Sequence, residues 1–254
     1  MSIQHVTSKW VKTQVLLQNA QLEPYVPETM LYNRDALFHM LEKYEMVYVK
    51  PNVGTYGKGV IRVQKLEWPS QGYKYQINTT IRIFESYQAM ERSLRVYTSK
   101  KRYLVQKGIH LLTHNTRRFD IRVMVQQSPS KSWEATGIIG RLSHPGKIVT
   151  NYHSGGTPMA FELLMIDHLT AEQQQEYIVR LQELGLAIAR QMRLSYPRLK
   201  EIGVDIAIDT DLHPWILEVN TKPDPFIFRR LNNRSVFRKI YRYAKAYGRF
   251  KKRK

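Results

Sequence analysis

The chain has 254 residues, with 40 Lys or Arg against 21 Asp or Glu, a formal charge of +19 and no cysteine. Hydrophobic residues make up 43% of it, enough for a core, and the lack of thiols rules out a disulfide scaffold, Cys-ligated zinc, an iron–sulfur cluster and a thiol nucleophile. No apolar run of about 18 residues is present to span a membrane, and MSIQHVTSKW lacks a hydrophobic signal core, so a cytoplasmic location is expected.

Residues 8–19 have helical spacing, and two prolines make 21–29 an extended connector. Asn33 is placed to cap a helix over 34–44, where Leu37, Met40, Leu41 and Tyr44 share one face. MVYVKP (46–51) and VIRVQK (60–65) are strand-like and flank the glycine-rich NVGTYGKGV (52–60), which predicts a hairpin. More strand-like sequence covers 73–84, followed by a predicted helix over 86–98 and a strand over 103–109. Segments 119–126, 133–143 and 147–152 read as antiparallel neighbours. Thr170 and Gln173 have capping-box spacing for a helix over 171–193, with Leu181, Leu184, Ile188 and Met192 facing inward. Strands 202–209 and 215–220, joined by a polar turn, make a second hairpin. Strands with helices interposed but no strict alternation predict an α+β fold.

The charge is concentrated at the end. Residues 225–254 hold 12 Lys or Arg and no Asp or Glu, leaving 28 basic against 21 acidic residues in the rest. Val236, Ile240, Tyr243, Ala244 and Tyr247 form an apolar stripe at helical period, so the segment reads as a basic amphipathic helix ending in KKRK. Such a helix either docks on the body with a solvated charged face or contacts an anionic surface.

Three groups of residues can carry chemistry. In the second hairpin, Glu218 and Asn220 share a strand face, and pairing across the turn brings Asp205 near them. Two carboxylates and an amide oxygen are hard ligands suited to Mg²⁺ held jointly with phosphates. In the first hairpin, the backbone of Gly54, Thr55, Tyr56, Gly57, Lys58 and Gly59 can approach phosphate oxygens, and Lys50 enters from the adjoining strand. The loop has neither Walker nor dinucleotide-fingerprint spacing. On the middle strands, Arg122, Arg141 and Asn151 add two cations and an amide; Arg122 lies between Ile121 and Val123, a setting that demands an anion, whether a ligand or a buried acid such as Asp120.

The order of these elements resembles the ATP-grasp superfamily: strand lysine and glycine hairpin, YLVQKGI, D-x-R, a strand arginine, N-x-H-x-G-G, GVD and ExN. Within it the chain is similar to the YheC/YheD family of endospore coat-associated proteins, on SKW (8–10), PET (27–29), VYVKPNVGTYGKGVIRV (47–63), VQKGI (105–109), RFDIRVMVQ (118–126), TNYHSGGTP (150–158) and GVDIAID…WILEVN (203–220). The resemblance implies two lobes with antiparallel sheets clasping a nucleotide. Residues 1–30 would form the N-terminal helix and connector, 31–104 the small lobe, 105–225 the large lobe and 226–254 the basic tail. Lys9 and Lys50 would bind the nucleotide, 52–59 would close over its phosphates, and Gln106, Lys107, Gly108 and Ile109 would form the hinge against the adenine edge. Arg122 and Arg141 would hold the γ-phosphate, with Asn151 nearby. Asp205, Glu218 and Asn220 would hold two Mg²⁺, or Mn²⁺ in their place.

The implied activity is an ATP-dependent, ADP-forming ligation of a carboxylate to an amine or another nucleophile through an acyl phosphate, in a sporulation setting. Two other readings remain at this level: a nucleotide-binding spore-coat scaffold without ligation, and a polyanion binder with a vestigial fold. The chain departs from the superfamily at the hinge, where Lys107 and Gly108 stand in a stretch that often carries an acid for the ribose, and few residues precede the first motif. The tail is expected to meet spore-coat components or an anionic polymer.

Overall fold

The structure is a computed structural model that describes residues 2–67 and 71–250; the terminal KKRK lies outside the described residues. In chain order the elements are α1 (Lys9–Leu17), β1 (Thr29–Leu31), α2 (Arg34–Tyr44), β2 (Met46–Pro51), β3 (Ile61–Leu66), β4 (Gly72–Ile77), β5 (Thr80–Phe84), α3 (Tyr87–Thr98) and β6 (Tyr103–Lys107). There follow β7 (Thr113–His114), β8 (Arg117–Gln127), β9 (Trp133–Leu142), β10 (Thr157–Met159), α4 (Phe161–Met165), α5 (Ala171–Ser195), β11 (Glu201–Ile208), β12 (Pro214–Asn220) and α6 (Arg234–Ala246). The capping signals act as expected. The Ala36 amide donates to Asn33 Oδ1 at 2.7 Å, and Thr170 and Gln173 form a reciprocal capping box.

The strands form two antiparallel sheets, ordered β1-β6-β2-β3-β4-β5 and β10-β9-β8-β11-β12. Alternation along β2 and β3 sends Val47, Val49, Ile61 and Val63 against Leu37, Met40, Met90 and Leu94 of α2 and α3. The same alternation leaves Tyr48 and Lys50 on the opposite face. In the second sheet, Ile121, Val123 and Val125 of β8 pack on Leu181, Ile188 and Met192 of α5. The other face of that sheet is divided. Met124 and Ile139 are covered by Phe228 and by Ile240 of α6, while Asp120, Arg122 and Arg141, further along the same strands, turn toward the first sheet. The α+β class expected from the strand pattern, and the two antiparallel sheets that the resemblance implies, are those observed.

Residues 147–152 are not a strand. The amides of Ser154 and Gly156 donate to the Asn151 carbonyl, and that of Gly155 to the Tyr152 carbonyl, so this backbone closes a turn on itself instead of joining a ladder. The place beside β9 is taken by β10, with Pro158 opposite Arg141. The freed segment crosses the gap between the sheets, where Ile148, Val149, Thr150 and Asn151 line a cleft.

Leu181 is fully buried between α5 and the second sheet. Leu181→Ala is expected to cost about 2–5 kcal/mol, read in a thermal melt as a Tm lower by roughly 5–15 °C. A shift of under about 2 °C would mean that this helix–sheet contact is not a principal core.

Candidate functional site

The carboxylates are aligned by an irregularity in the β11–β12 ladder. Asp205 pairs with Glu218, but Ile206 pairs with Ile216, so Leu217 is an extra residue on β12. Such a bulge turns consecutive residues off the regular alternation. Both Leu217 and Glu218 border the cleft as a result, and the Leu217 carbonyl accepts from Lys50 Nζ at 3.0 Å. Asn220 Nδ2 donates to Asp205 Oδ2 at 3.2 Å, and Asp205 stands opposite Glu218 in the ladder.

Three ammonium groups face this hairpin. Lys50 Nζ also donates to Gln106 Oε1 at 2.6 Å. From the first turn of α1, Lys9 Nζ donates to the Gly54 carbonyl at 2.9 Å and stands 3.3 Å from Glu218; Lys12, one turn on, stands 3.8 Å from the same carboxylate. Burial pushes the Lys50 ammonium down to about 8, against the pull of Glu218, with Lys9 and Lys12 adding repulsion. Burial likewise lowers Lys12, again opposed by Glu218.

The glycine loop is folded over the cleft onto the 150–156 turn. Ser154 Oγ donates to the Tyr56 carbonyl at 2.7 Å, and the Tyr56 and His153 rings are 4.1 Å apart. Gly57 has φ +70°, and a Cβ there would lie 2.8 Å from Asn151 Oδ1, so both conformation and approach require glycine.

The arginines are engaged with acids. Arg141 makes a two-pronged contact with Asp120, at 2.8 and 2.5 Å, and reaches Asp205 at 3.0 Å. Arg122 Nε donates to the other oxygen of Asp205. Of the two settings open to Arg122 in sequence, the structure shows a buried carboxylate, and it is Asp205 rather than Asp120. Burial alone would raise the Asp205 carboxyl, but the two guanidinium groups outweigh it and hold it down to about 2. Burial also works against the Arg141 cation, and Asp120 and Asp205 more than offset it.

A cleft of about 890 Å³ between the sheets gathers most of the expected residues: Lys9, Lys50, Gly54, Thr55, Gly57, Lys58, Gln106, Lys107, Ile109, Arg141, Asn151, Asp205 and Glu218 all line it. Five expected residues stand outside its lining. Tyr56 rests on His153, Gly59 packs on Pro51 and Tyr103, and Gly108 is pressed against Met46; Arg122 and Asn220 stand behind Asp205. Lys107 Nζ lies over the Trp215 ring at 4.4 Å and the Tyr44 ring at 5.3 Å, which joins elements flanking the hinge. Sequence reasoning missed Lys12, whose signal was its i, i+3 spacing from Lys9, and the role of Asp120, which was visible only as the acid of D-x-R. Among the described residues no three His, Cys, Asp or Glu side chains cluster as a metal site.

A description of YheC/D-like ATP-grasp proteins matches residues 3–250. The chain belongs to the YheC/D-like ATP-grasp family. It is 26% identical to endospore coat-associated protein YheC of Bacillus subtilis over 223 residues, 85% of this chain and 59% of that protein. It is 23% identical to endospore coat-associated protein YheD of the same organism over 232 residues, 89% of this chain and 50% of that one. The chain thus spans between half and three-fifths of the curated relatives it matches. Among solved structures, the C-terminal domain of K. lactis Pby1, described as an ATP-grasp enzyme interacting with the decapping enzyme Dcp2, aligns with TM-score 0.50 and 14% identity, over 93% of this chain and 72% of that one. An ADP complex of N5-carboxyaminoimidazole ribonucleotide synthetase aligns with TM-score 0.49 and 14% identity, over 87% and 46%. The likeness to the Pby1 domain is one of fold.

Lys50 gives this ATP-grasp cleft a pH signature. Between about pH 8 and its ordinary 10.5, the unfolded chain holds a proton that folded Lys50 has released, so stability rises with pH across that window. Lys50→Met removes the effect. The Tm difference between wild type and Lys50→Met is expected to shift in favour of wild type from pH 8 to pH 9.5; an unchanged difference would mean Lys50 is not titrating there.

Proposed function

We propose that this chain is a Mg-ATP-dependent carboxylate–amine ligase acting in a spore-coat setting. The observation that carries the reading is the set of charges in the cleft. Lys9, Lys50 and Arg141 line it, Lys12 and Arg122 are buried at its margin, and the carboxylates beside these five cations among the described residues are Asp120, Asp205 and Glu218. An anion such as a triphosphate balances the excess. Asp205 and Glu218 border the cleft and would offer carboxylate oxygens to Mg²⁺, or Mn²⁺, shared with phosphate oxygens, with Asn220 beside Asp205. When bound, the metal supplies charge neutralisation of the transferring phosphoryl group.

The roles follow from position. Lys9 and Lys50 hold phosphates beneath the loop of Gly54, Thr55, Tyr56, Gly57, Lys58 and Gly59, which excludes water. Gln106, Lys107, Gly108 and Ile109 border the base. A substrate carboxylate oxygen attacks the γ-phosphorus and ADP leaves. The amine then attacks the acyl carbon, phosphate departs, and the amine proton passes to solvent. Arg141 and Asn151 stabilise charge on the transferring group, with Asp120 orienting Arg141 and Arg122 acting from behind through Asp205. The spore-coat setting is taken from the two Bacillus relatives.

Calorimetry is expected to give micromolar to millimolar Mg-ATP binding. With a matching carboxylate and amine, ADP release and hydroxylamine-trapped acyl phosphate are expected. Arg141→Met should lower turnover by about 10²–10³. Mg-ATP binding with no ADP release across a broad panel of carboxylates and amines would replace this reading with a nucleotide-binding coat scaffold. Failure to bind Mg-ATP would defeat both readings.

A further inference from the structure

Between Pro225 and Phe250 there are eight Lys or Arg and no Asp or Glu. On α6, Arg234, Arg238 and Arg242 recur at i, i+4 and i+8, Lys245 follows three residues later, and all four are exposed. Like charges at this spacing repel and weaken a helix. Among the described residues none of the four stands in an ion pair, whereas Lys239 and Arg249 pair with Glu134 and Glu201. The other side of α6 is fixed to the body. Ile240 and Ala244 are buried, and Tyr243 Oη donates to Glu134 at 2.9 Å. The cationic ridge is therefore held rigidly outward, with an unfavourable self-interaction that an anionic partner relieves.

This ridge leads toward the cleft. Just before α6, Arg230 donates to Tyr152 Oη at 3.0 Å, and Tyr152 adjoins Asn151 in the cleft wall. A groove of about 1220 Å³, with Arg230, Asn232, Asn233 and Leu163 among its walls, opens at the same place.

We propose that α6 and the turn before it form a docking track for an acidic polypeptide, which presents the carboxylate that reacts in the cleft. The docking half of this statement stands without the ligase reading; the delivery half rests on it. Two other polyanions fit less well. Single-stranded nucleic acid is held by bases stacked on open aromatic faces. Here Phe226, Phe237, Tyr241 and Phe250 pack on one another, with centroids 5.1–6.0 Å apart. Arg229 covers Phe226 and Phe237, and Lys245 covers Tyr241. An anionic membrane would take the apolar side of an amphipathic helix, and that side is buried in the protein. The exposed face of α6 carries a row of cations about 17 Å long, the reach of about five extended residues.

The test uses the whole protein without nucleotide. Fluorescent poly-L-glutamate of about 20 residues is titrated by anisotropy at low and high salt, beside an oligothymidylate of matched charge and phosphatidylglycerol vesicles. Wild type is expected to bind poly-L-glutamate in a salt-sensitive manner, and at least about tenfold more tightly than either comparator. The exposed triple variant R234E/R238E/R242E, with circular dichroism and Mg-ATP affinity matching wild type, is expected to bind poly-L-glutamate at least about tenfold more weakly. Equal or tighter binding of the oligothymidylate or the vesicles overturns the proposal, as does unchanged poly-L-glutamate affinity in the triple variant. Poly-L-glutamate binding without ADP release from any substrate would sink the ligase reading and leave the docking surface standing. ADP release from small carboxylates, with no poly-L-glutamate binding, would do the reverse.

Discussion

A carboxylate only 5% exposed stays ionised only when cations stand against it, and Asp205 has Arg122 on one oxygen and Arg141 on the other. This contact organises the face of the second sheet that meets the first. It joins β8, β9 and β11 through side chains as well as through their ladder. Through the Asn220 amide it also fixes the end of β12. Arg141 is itself held by Asp120, so the cluster is a chain of alternating charges that tolerates burial because every member is paired. Removing one member would leave its neighbours charged and desolvated.

Beside that balanced cluster lies an unbalanced one. Lys9, Lys12 and Lys50 share Glu218 as their nearby carboxylate, and the remaining hydrogen bonds of Lys9 and Lys50 go to neutral carbonyl and amide oxygens. The bulge at Leu217 permits this, since it brings Glu218 and the Leu217 carbonyl to the same cleft. Proximity of neutral oxygens orients an ammonium but does not neutralise it. The site is therefore preorganised for an incoming anion, at some expense in stability of the kind common in binding clefts.

The C-terminal segment uses charge differently on its two sides. Inward, Glu201 is fully buried and accepts from Arg249 and from Tyr247 Oη at 2.5 Å, while Arg249 also reaches the Pro223 carbonyl at 2.6 Å. Burial raises the Glu201 carboxyl against the pull of Arg249. This knot ties the end of α6 to the start of β11 and to the turn after β12. The outward cations have no such partners among the described residues, and it is the inward knot that allows them to be displayed.

Local patterns carried much of this into view. Strand-like runs at 46–51, 119–126 and 202–209 marked strands, Asn33 and Thr170 marked helix starts, and the succession of glycine loop, D-x-R, GVD and ExN marked the family. Those signals depend on neighbours a few residues apart, which the chain itself dictates through propensity and spacing. The fate of 147–152 was not legible, because its strand-like composition was overridden by the turn on Asn151 and by β10 occupying the edge of β9. Nor was the extra residue at Leu217, since a bulge is a property of two strands together. The choice of Asp205 as the partner of Arg122, the nearness of Lys12 to Glu218 and the burial that lowers Lys50 all depend on distances across elements far apart in sequence. Residue order alone determined which charged groups this protein owns; the packing of two sheets decided which of them lost their water, and with it which were left in need of an anion.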